Sequence, residues 1–174
     1  MIRLQKMPQR VAETNPDMTL ISLGNSTQKA IIDDKDVWVM DRRRHINPDG
    51  YVVTTINRKP LNPITLYLHK LIVQVKHGTV VDHINHDLLD NTRKNLRAAT
   101  RRENSMNRSI NRTFRSSSFK GLTFYKRQRK WGARIRVNYK LLFLGLFESE
   151  ADAARAYNTA AKQFYGKFAC LNPT

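Results

Sequence analysis

Val80-Val81-Asp82-His83 decides the fold of this chain, together with Leu96-Arg97-Ala98-Ala99-Thr100 downstream. Each is a short run of β-branched or small apolar residues, and a polar loop separates them, which predicts two neighbouring strands. Thr100-Arg101-Arg102-Glu103 has the spacing of a capping box, in which a hydroxyl begins a helix and an acid follows three residues later. The predicted order is strand, strand, helix, with Asn104 in the first helical turn.

Asp82 and His83 stand where the first predicted strand ends and the loop beginning at Ile84 follows. Successive strand residues point to opposite faces, so the two side chains can serve one site only if the strand ends or bulges there. Several amides follow at Asn91, Asn95 and Asn104. An acid, a candidate general base and amide oxygens are the groups that metal-assisted cutting of a nucleic acid needs. The pattern favours an enzyme.

The chain of 174 residues is strongly basic, with a formal net charge of +17 and a pI near 10.5. A charge this large predicts a polyanionic partner, and nucleic acid fits best. Residues 101–140 hold thirteen Lys/Arg and one acid, Glu103, so the binding surface should centre there. A membrane surface is the competing polyanion, but no run of about 18 apolar residues occurs. Nucleic acid is therefore the predicted partner, and membrane binding is not expected.

Cys170 is the only cysteine of the sequence. A lone thiol excludes an intramolecular disulfide framework, and it excludes a zinc ribbon or zinc finger. The first residues, Met1-Ile2-Arg3-Leu4-Gln5-Lys6, lack the apolar core of a signal peptide. We expect a reducing, cytoplasmic setting, in a prokaryotic cell or a phage-infected host.

Short strands are predicted for the N-terminal half of the chain. Thr19–Leu23, Lys29–Ile32 and Val37–Met40 are apolar runs between turn residues. Tyr51–Ile56 and Ile64–Leu68 follow strong turn signals and are predicted to form a hairpin. Residues 1–18 show no clear period and are predicted to be an N-terminal arm, and 108–117 are predicted to be a basic linker.

Three strands and one helix are predicted after the linker, over Phe119–Tyr125, Lys130–Val137, Lys140–Phe147 and the segment from Ser149 to Gly166. In the middle strand, Ala133 and Ile135 alternate with Arg134 and Arg136, so the sheet should have one apolar face and one cationic face. The spacing of Ser149 and Asp152 predicts another capping box. The alanines of the helix should let it lie close to the apolar face.

The segment 69–104 resembles the HNH nuclease motif, in the form found in phage-borne and homing endonucleases. The resemblance implies a ββα-metal fold in which Asp82 and Asn104 hold one divalent cation, Mg²⁺ with Mn²⁺ as the alternative. It implies that His83 activates the attacking water. Asn95, the middle letter of the motif, is implied to brace the histidine and the loop. The implied supporting residues are His69, Asn91 and Arg97.

Simple chemistry supports these roles. A neutral imidazole accepts a proton from water near pH 7, because its ordinary pKa is about 6.5. Many HNH nucleases have histidine at the last motif position, and the amide oxygen of Asn104 suits Mg²⁺ or Mn²⁺ better than Zn²⁺. His86 stands where the family tends to have glycine, so we expect an exposed loop residue. A structural zinc site of His69, His83 and His86 is the less favoured interpretation, because no thiolate or fourth histidine is evident.

Four segments of the C-terminal part match a second family: Phe119-Lys120-Gly121-Leu122, Trp131-Gly132-Ala133-Arg134-Ile135-Arg136, Leu144-Gly145-Leu146-Phe147 and Ala153-Ala154-Arg155-Ala156-Tyr157. They resemble the Apetala-type, ethylene-response-factor DNA-binding domain. The resemblance implies a three-stranded antiparallel sheet in the major groove, with a helix behind it. The implied DNA-binding residues are Lys120, Lys126, Arg127, Arg129, Trp131, Arg134, Arg136 and Phe143. Core packing is an equally weighted interpretation of Trp131 and Phe143.

The predicted fold class is α+β, with a ββα-metal (HNH) nuclease domain at 19–107 and a three-stranded antiparallel sheet packed on one helix at 118–174. The predicted function is site-selective DNA cleavage with one divalent metal ion, by a monomer that the C-terminal sheet docks on DNA. The competing interpretation is a DNA-binding regulator with an inactive nuclease module.

Overall fold

The computed structural model describes residues 17–109 and 117–173. Most of the predicted N-terminal arm and of the predicted linker lies outside these residues. The strands are β1 (Met18–Ser22), β2 (Lys29–Asp33), β3 (His45–Ile46), β4 (Val52–Arg58), β5 (Leu61–Tyr67), β6 (Thr79–His83), β7 (Leu96–Thr100), β8 (Leu122–Tyr125), β9 (Lys130–Val137) and β10 (Lys140–Phe147). The helices are α1 (Leu68–Ile72), α2 (Arg101–Asn107) and α3 (Glu150–Tyr165), with 3-10 helices at Asp34–Asp41 and Gly166–Phe168. The result is a mixed α and β protein with several small antiparallel sheets.

The chain divides into two compact units between Thr100 and Arg101. The predicted nuclease domain, 19–107, therefore includes a helix, α2, that groups with the second unit. The boundaries of the two functional domains stay predictions. No helix in the described parts of either unit is long and apolar enough to cross a membrane.

Within residues 17–100 the first unit contains three small antiparallel sheets, β1-β2, β3-β4-β5 and β6-β7. They share one apolar core, in which Ile32, Val39, Val52 and Leu68 are fully buried. Each such side chain contributes about 1.5–3 kcal/mol by leaving water. The core thus holds the β6-β7 hairpin, through buried Val81 and Leu96, against the sheets that precede it.

The prediction of a strand at Val37–Met40 was wrong, because these residues lie in the 3-10 helix Asp34–Asp41. Val39 is buried, whereas Val37 and Trp38 are 42% and 54% exposed. Most of this apolar run therefore does not pack into the core as a buried strand would. A short apolar run does not by itself separate a strand from a helix. The acids Asp34 and Asp36 in the first turn favour the helical choice.

The second unit has a three-stranded antiparallel sheet in the order β10-β9-β8, with α3 packed on one face. The alanines of α3 and Tyr157 share a core with Leu122, Ala133 and Ile135. The apolar and cationic faces predicted for the middle strand are confirmed, since Ala133 and Ile135 are buried while Arg134 and Arg136 are exposed. The helix and the cationic residues therefore occupy opposite faces of the sheet.

The ends of α3 follow the sequence signals. The Ser149 hydroxyl accepts a hydrogen bond from Asp152 N at 3.0 Å, which confirms Ser149 as the N-cap of the helix. Gly166 ends the helix, as predicted. Gly121 explains how α3 approaches so closely, because a Cβ there would lie 2.3 Å from the Tyr157 ring and its φ is +79°.

Candidate active site and docking surface

Asp82 and His83 end β6 and are both buried. In the antiparallel register Asp82 lies opposite Arg97, and His83 lies opposite Leu96. The chain leaves the strand immediately afterwards, where Ile84 N donates to Asn95 O at 2.9 Å. Two consecutive side chains are therefore both enclosed at a strand end.

Arg97 holds the carboxylate of Asp82. Its Nε donates to Asp82 Oδ2 at 2.8 Å, and its Nη2 lies 2.7 Å from the same oxygen. The side chain of Arg97 is 14% exposed and that of Asp82 is 5% exposed, so water screens this ion pair little. The pair fixes the direction in which the carboxylate points.

Asn95 ties the two sides of the loop together. Its Oδ1 accepts from Asn85 N at 2.9 Å, and its Nδ2 donates to Asp90 O at 2.7 Å. The side chain is buried, so the loss of these bonds would leave polar backbone groups without compensation. The amide acts as an internal brace for the loop after His83.

Asn91 joins the same loop to the rest of the unit. Its Nδ2 donates to Leu88 O at 3.1 Å and to Leu89 O at 3.2 Å. Its backbone N donates to Ile31 O at 2.8 Å, which connects the loop to β2. The loop is thereby fixed to a strand of the core.

Burial lowers the pKa of His83 below its ordinary value of 6.5. A hydrogen bond with the Asn91 side chain opposes this shift, as do the negative charges of Asp82, Asp90 and Asp87. Burial dominates because it penalises the charged imidazolium. The imidazole is therefore neutral near pH 7 and able to accept a proton.

An aromatic cluster packs against one side of His83, and no sequence pattern predicted it. The His69 ring is centred 5.2 Å from that of His83, at an interplanar angle of 81°. Tyr51 lies 5.1 Å from His69 and 6.1 Å from His83, and Tyr67 lies 5.6 Å from His69. Burial, aided by the charges of His83 and Lys70, lowers the pKa of His69 to about 3. The cluster keeps polar solvent away from one side of His83.

The remaining motif residue, Asn104, is exposed on α2 in the second unit. His86 is exposed in the loop, as predicted, and has a positive φ of 66°. Over residues 17–109 and 117–173 no three His, Cys, Asp or Glu side chains form a metal-binding group. The predicted donors are instead one carboxylate and one amide, and such oxygen donors suit Mg²⁺, which keeps several waters.

The predicted DNA-binding residues occupy different environments. Lys126, Arg127 and Arg129 are exposed between β8 and β9. Phe143, which is 59% exposed, pairs in register with the exposed Arg134. Trp131 is half-buried beside the core of the unit, and its ring lies 4.9 Å from that of Phe124. Core packing thus accounts for Trp131 and not for Phe143.

Lys120 contacts the end of α2, and no local pattern in the sequence predicted this contact. Its Nζ donates to Met106 O at 2.6 Å and to Arg108 O at 2.7 Å. Burial lowers the pKa of this lysine. An ammonium group at these carbonyls satisfies the C-terminal end of the helix. A hydrogen bond from Arg102 to Asn138 also joins α2 to the β9–β10 connection.

A sequence model of the family described as HNH endonuclease matches residues 66–106. Across most of its length the chain is similar to an uncharacterized HNH endonuclease of Acanthamoeba polyphaga mimivirus. The two are 30% identical over 157 residues, which cover 88% of this chain and 79% of the relative.

The C-terminal third is similar to plant proteins. It is 46% identical over 59 residues to APETALA2-like protein 2 of Oryza sativa, and 41% identical over 58 residues to an AP2-like ethylene-responsive transcription factor of Arabidopsis thaliana. These matches span 13% and 12% of the plant proteins and 33% of this chain. The unit with β8-β9-β10 and α3 is thus an Apetala-type, ethylene-response-factor-like domain.

Proposed function

This chain belongs to the HNH endonuclease family, and we propose that it is a site-selective DNA endonuclease with one divalent metal ion. The observation that carries the proposal is the strand end at which His83 and Asp82 adjoin and are both buried. The arrangement supplies a proton acceptor next to an oriented carboxylate, in a protein whose charge of +17 suits a DNA substrate. We assign to the first unit and α2 the ββα-metal arrangement of the family.

His83 takes the proton from the attacking water in this proposal. The Asn91 side chain acts on the imidazole by opposing the fall in its pKa, and Asn95 braces the loop that follows it. Asp82 and Asn104 are the proposed ligands of Mg²⁺, with Mn²⁺ as the alternative. When bound, such a cation stabilises the charge that develops on the phosphate and on the leaving oxygen. Arg97 holds the Asp82 carboxylate in position, and His69 packs on His83.

The C-terminal sheet is the proposed docking module. Exposed Arg134 and Arg136 stand on the face opposite α3, where guanidinium groups can contact guanine edges or phosphates. Lys126, Arg127 and Arg129 extend the cationic surface at one end of the sheet. Two weak modules on one chain reach higher occupancy than either alone, since the second binds at a high effective concentration. In this proposal the protein acts as a monomer on double-stranded DNA.

Plasmid cleavage tests the proposal. Supercoiled plasmid is incubated with the unmodified protein in Mg²⁺ and in chelator, and with the variants His83→Ala, Asn104→Ala and His77→Ala. We expect nicked or linear product only with metal, its loss in the first two variants, and normal cutting by His77→Ala, whose histidine is exposed. DNA binding, measured in chelator, should be unchanged in all three. Full cutting by His83→Ala or Asn104→Ala would contradict the assigned roles.

A DNA-binding regulator with an inactive nuclease module is the second candidate function. The similarity of the C-terminal third to an ethylene-responsive transcription factor favours it. The same experiment separates the two, because a regulator binds DNA with normal affinity and yields no nicked or linear plasmid at any protein concentration.

A further inference from the structure

A second cationic feature lies in the first unit, separate from the residues proposed to cut. It is a cavity of about 540 Å³. Its lining residues are Gly24, Asn25, Arg42, Arg43, His45, Thr54 and Thr55. None of the proposed cutting or supporting residues lines it, so the proposed mechanism does not explain it.

The chemistry of the lining favours an anion. Two arginines, one histidine and two threonines line the cavity, and its lining contains no carboxylate. The ion pair of Arg42 with Asp41 is exposed on both sides at 3.5 Å, so it competes weakly for the arginine. Arg43 donates from Nη2 to Gly24 O at 3.3 Å, and this uses one of its five donors.

The walls of the cavity are held by hydrogen bonds within the unit. The Thr54 hydroxyl donates to Arg43 O at 2.8 Å, and Gly24 N donates to Arg44 O at 2.7 Å. Asn25 exchanges two bonds with the backbone of Ile46, at 2.8 and 2.9 Å. The backbone that presents Arg42 and Arg43 is therefore fixed before any ligand arrives, which reduces the ordering cost of binding.

The Arg43 guanidinium lies in the space that a side chain at position 24 would occupy. A Cβ at position 24 would lie 2.5 Å from Arg43 Nε, so even an alanine side chain would displace the arginine. The guanidinium rests against the chain only because residue 24 has no side chain. Removal of the charge and displacement of the charge can thus be tested by different substitutions.

We propose that this cavity binds a phosphate group, specifically a phosphodiester of the DNA backbone. The planar fork of a guanidinium matches phosphate oxygens, and a second arginine lines the same cavity. The first unit then contacts the duplex at a second place, which fixes the register of the substrate relative to the cutting residues. The proposal rests on DNA being the substrate under the proposed function.

The test measures DNA affinity of the full chain against salt concentration, in chelator, so that no cutting is required. Arg43→Gln should lower the affinity about fivefold near 0.15 M salt and reduce the salt slope by about one, as expected for one lost phosphate contact. Arg58→Gln, which removes an exposed arginine of β4 outside the cavity, should change neither. Unchanged affinity and slope in Arg43→Gln would overturn the proposal.

Two further arms sharpen the result. Gly24→Ala keeps the net charge and should still lower the affinity, because it displaces Arg43; its folding is checked by circular dichroism. Inorganic phosphate at millimolar concentration tests the other source of the same chemistry. One contrary result is that phosphate raises the melting temperature of the unmodified protein but not that of Arg43→Gln, while the two proteins have the same salt slope for DNA binding. In that case the site binds free phosphate, and the assignment to DNA is wrong. A different result would count against the proposed nuclease activity alone: Arg43→Gln lowers DNA affinity as expected, but the unmodified protein does not cleave plasmid.

Discussion

Arg97 and Asp82 face each other directly across the β6-β7 hairpin, with the arginine Nε 2.8 Å from a carboxylate oxygen. The carboxylate proposed to bind a cation therefore already has a positive partner inside the protein. Such a partner stabilises the buried charge before metal arrives, and it fixes the direction of the oxygen atoms.

Arg97→Met should destabilise the metal-free protein, because it leaves the buried Asp82 carboxylate without its partner. We expect the free energy of unfolding to fall by about 3 kcal/mol in chelator. Added Mg²⁺ should restore part of the loss, since a bound cation replaces the missing positive charge. Urea unfolding with and without Mg²⁺ measures both effects.

Arg93→Met is the matched control for this variant. Arg93 pairs with the buried Asp36 at 2.7 Å, away from the proposed metal ligands. Its loss should also destabilise the protein, but Mg²⁺ should not restore it. Equal recovery of the two variants would show that Asp82 is not a metal ligand.

The stability of the first unit should depend on pH through His69. Its pKa in the folded protein, about 3, lies below the ordinary value of 6.5, chiefly because of burial. Between these values the unfolded chain binds a proton that the folded chain does not. The stability that depends on a neutral His69 is fully present above about pH 6.5. It is lost as the pH falls towards 3, at about 1.4 kcal/mol per pH unit.

Urea unfolding of the full chain between pH 4.5 and 8 in chelator checks this dependence. His69→Gln should give a slope smaller by about one proton, while His77→Gln, which alters an exposed histidine, should keep the original slope. An unchanged slope in His69→Gln would show that His69 is protonated in the folded protein.

Local signals in the sequence were enough to predict much of this fold. The N-cap at Ser149 and the turn at Asn47–Gly50 act within a few residues, and the alternation along β9 is set by strand geometry. Val37–Met40 shows the limit, because its choice of a 3-10 helix depends on which side chains find room in the core. The Arg93 bond to buried Asp36 joins residues far apart in sequence, and no local pattern announces it.

The same distinction applies to the candidate site. Asp82, His83 and Asn95 could be proposed from their order, since a hairpin brings the ends of its strands together. Tyr51 and Tyr67 could not, because they reach His83 and His69 only through the assembly of β4, β5 and α1. Lys120 was assigned to DNA on resemblance, and its contact with α2 depends on how the chain folds back within the second unit.

Lys120→Met should lower the rate of cutting more than the affinity for DNA. The ammonium group holds the last turn of α2, the helix that carries Asn104, so its loss should loosen a proposed metal ligand. Lys126→Met, which removes an exposed lysine, should instead weaken DNA binding and reduce the salt slope by about one. Single-turnover cleavage and salt-dependent binding separate the effects. A full loss of affinity with a normal rate at saturation would assign Lys120 to the DNA.

Phe143→Ala and Trp131→Ala should have opposite effects, although both aromatics were assigned to DNA by resemblance. Phe143 is 59% exposed beside Arg134, so its loss should leave the melting temperature unchanged and weaken DNA binding. Trp131 packs at 4.9 Å on Phe124 beside the core, so its loss should cost about 3 kcal/mol of stability. Thermal unfolding and DNA binding of both variants provide the comparison. If Trp131→Ala retains its stability and loses DNA affinity, the tryptophan is part of the docking surface, and the sheet presents an aromatic pair to the groove instead of a single ring.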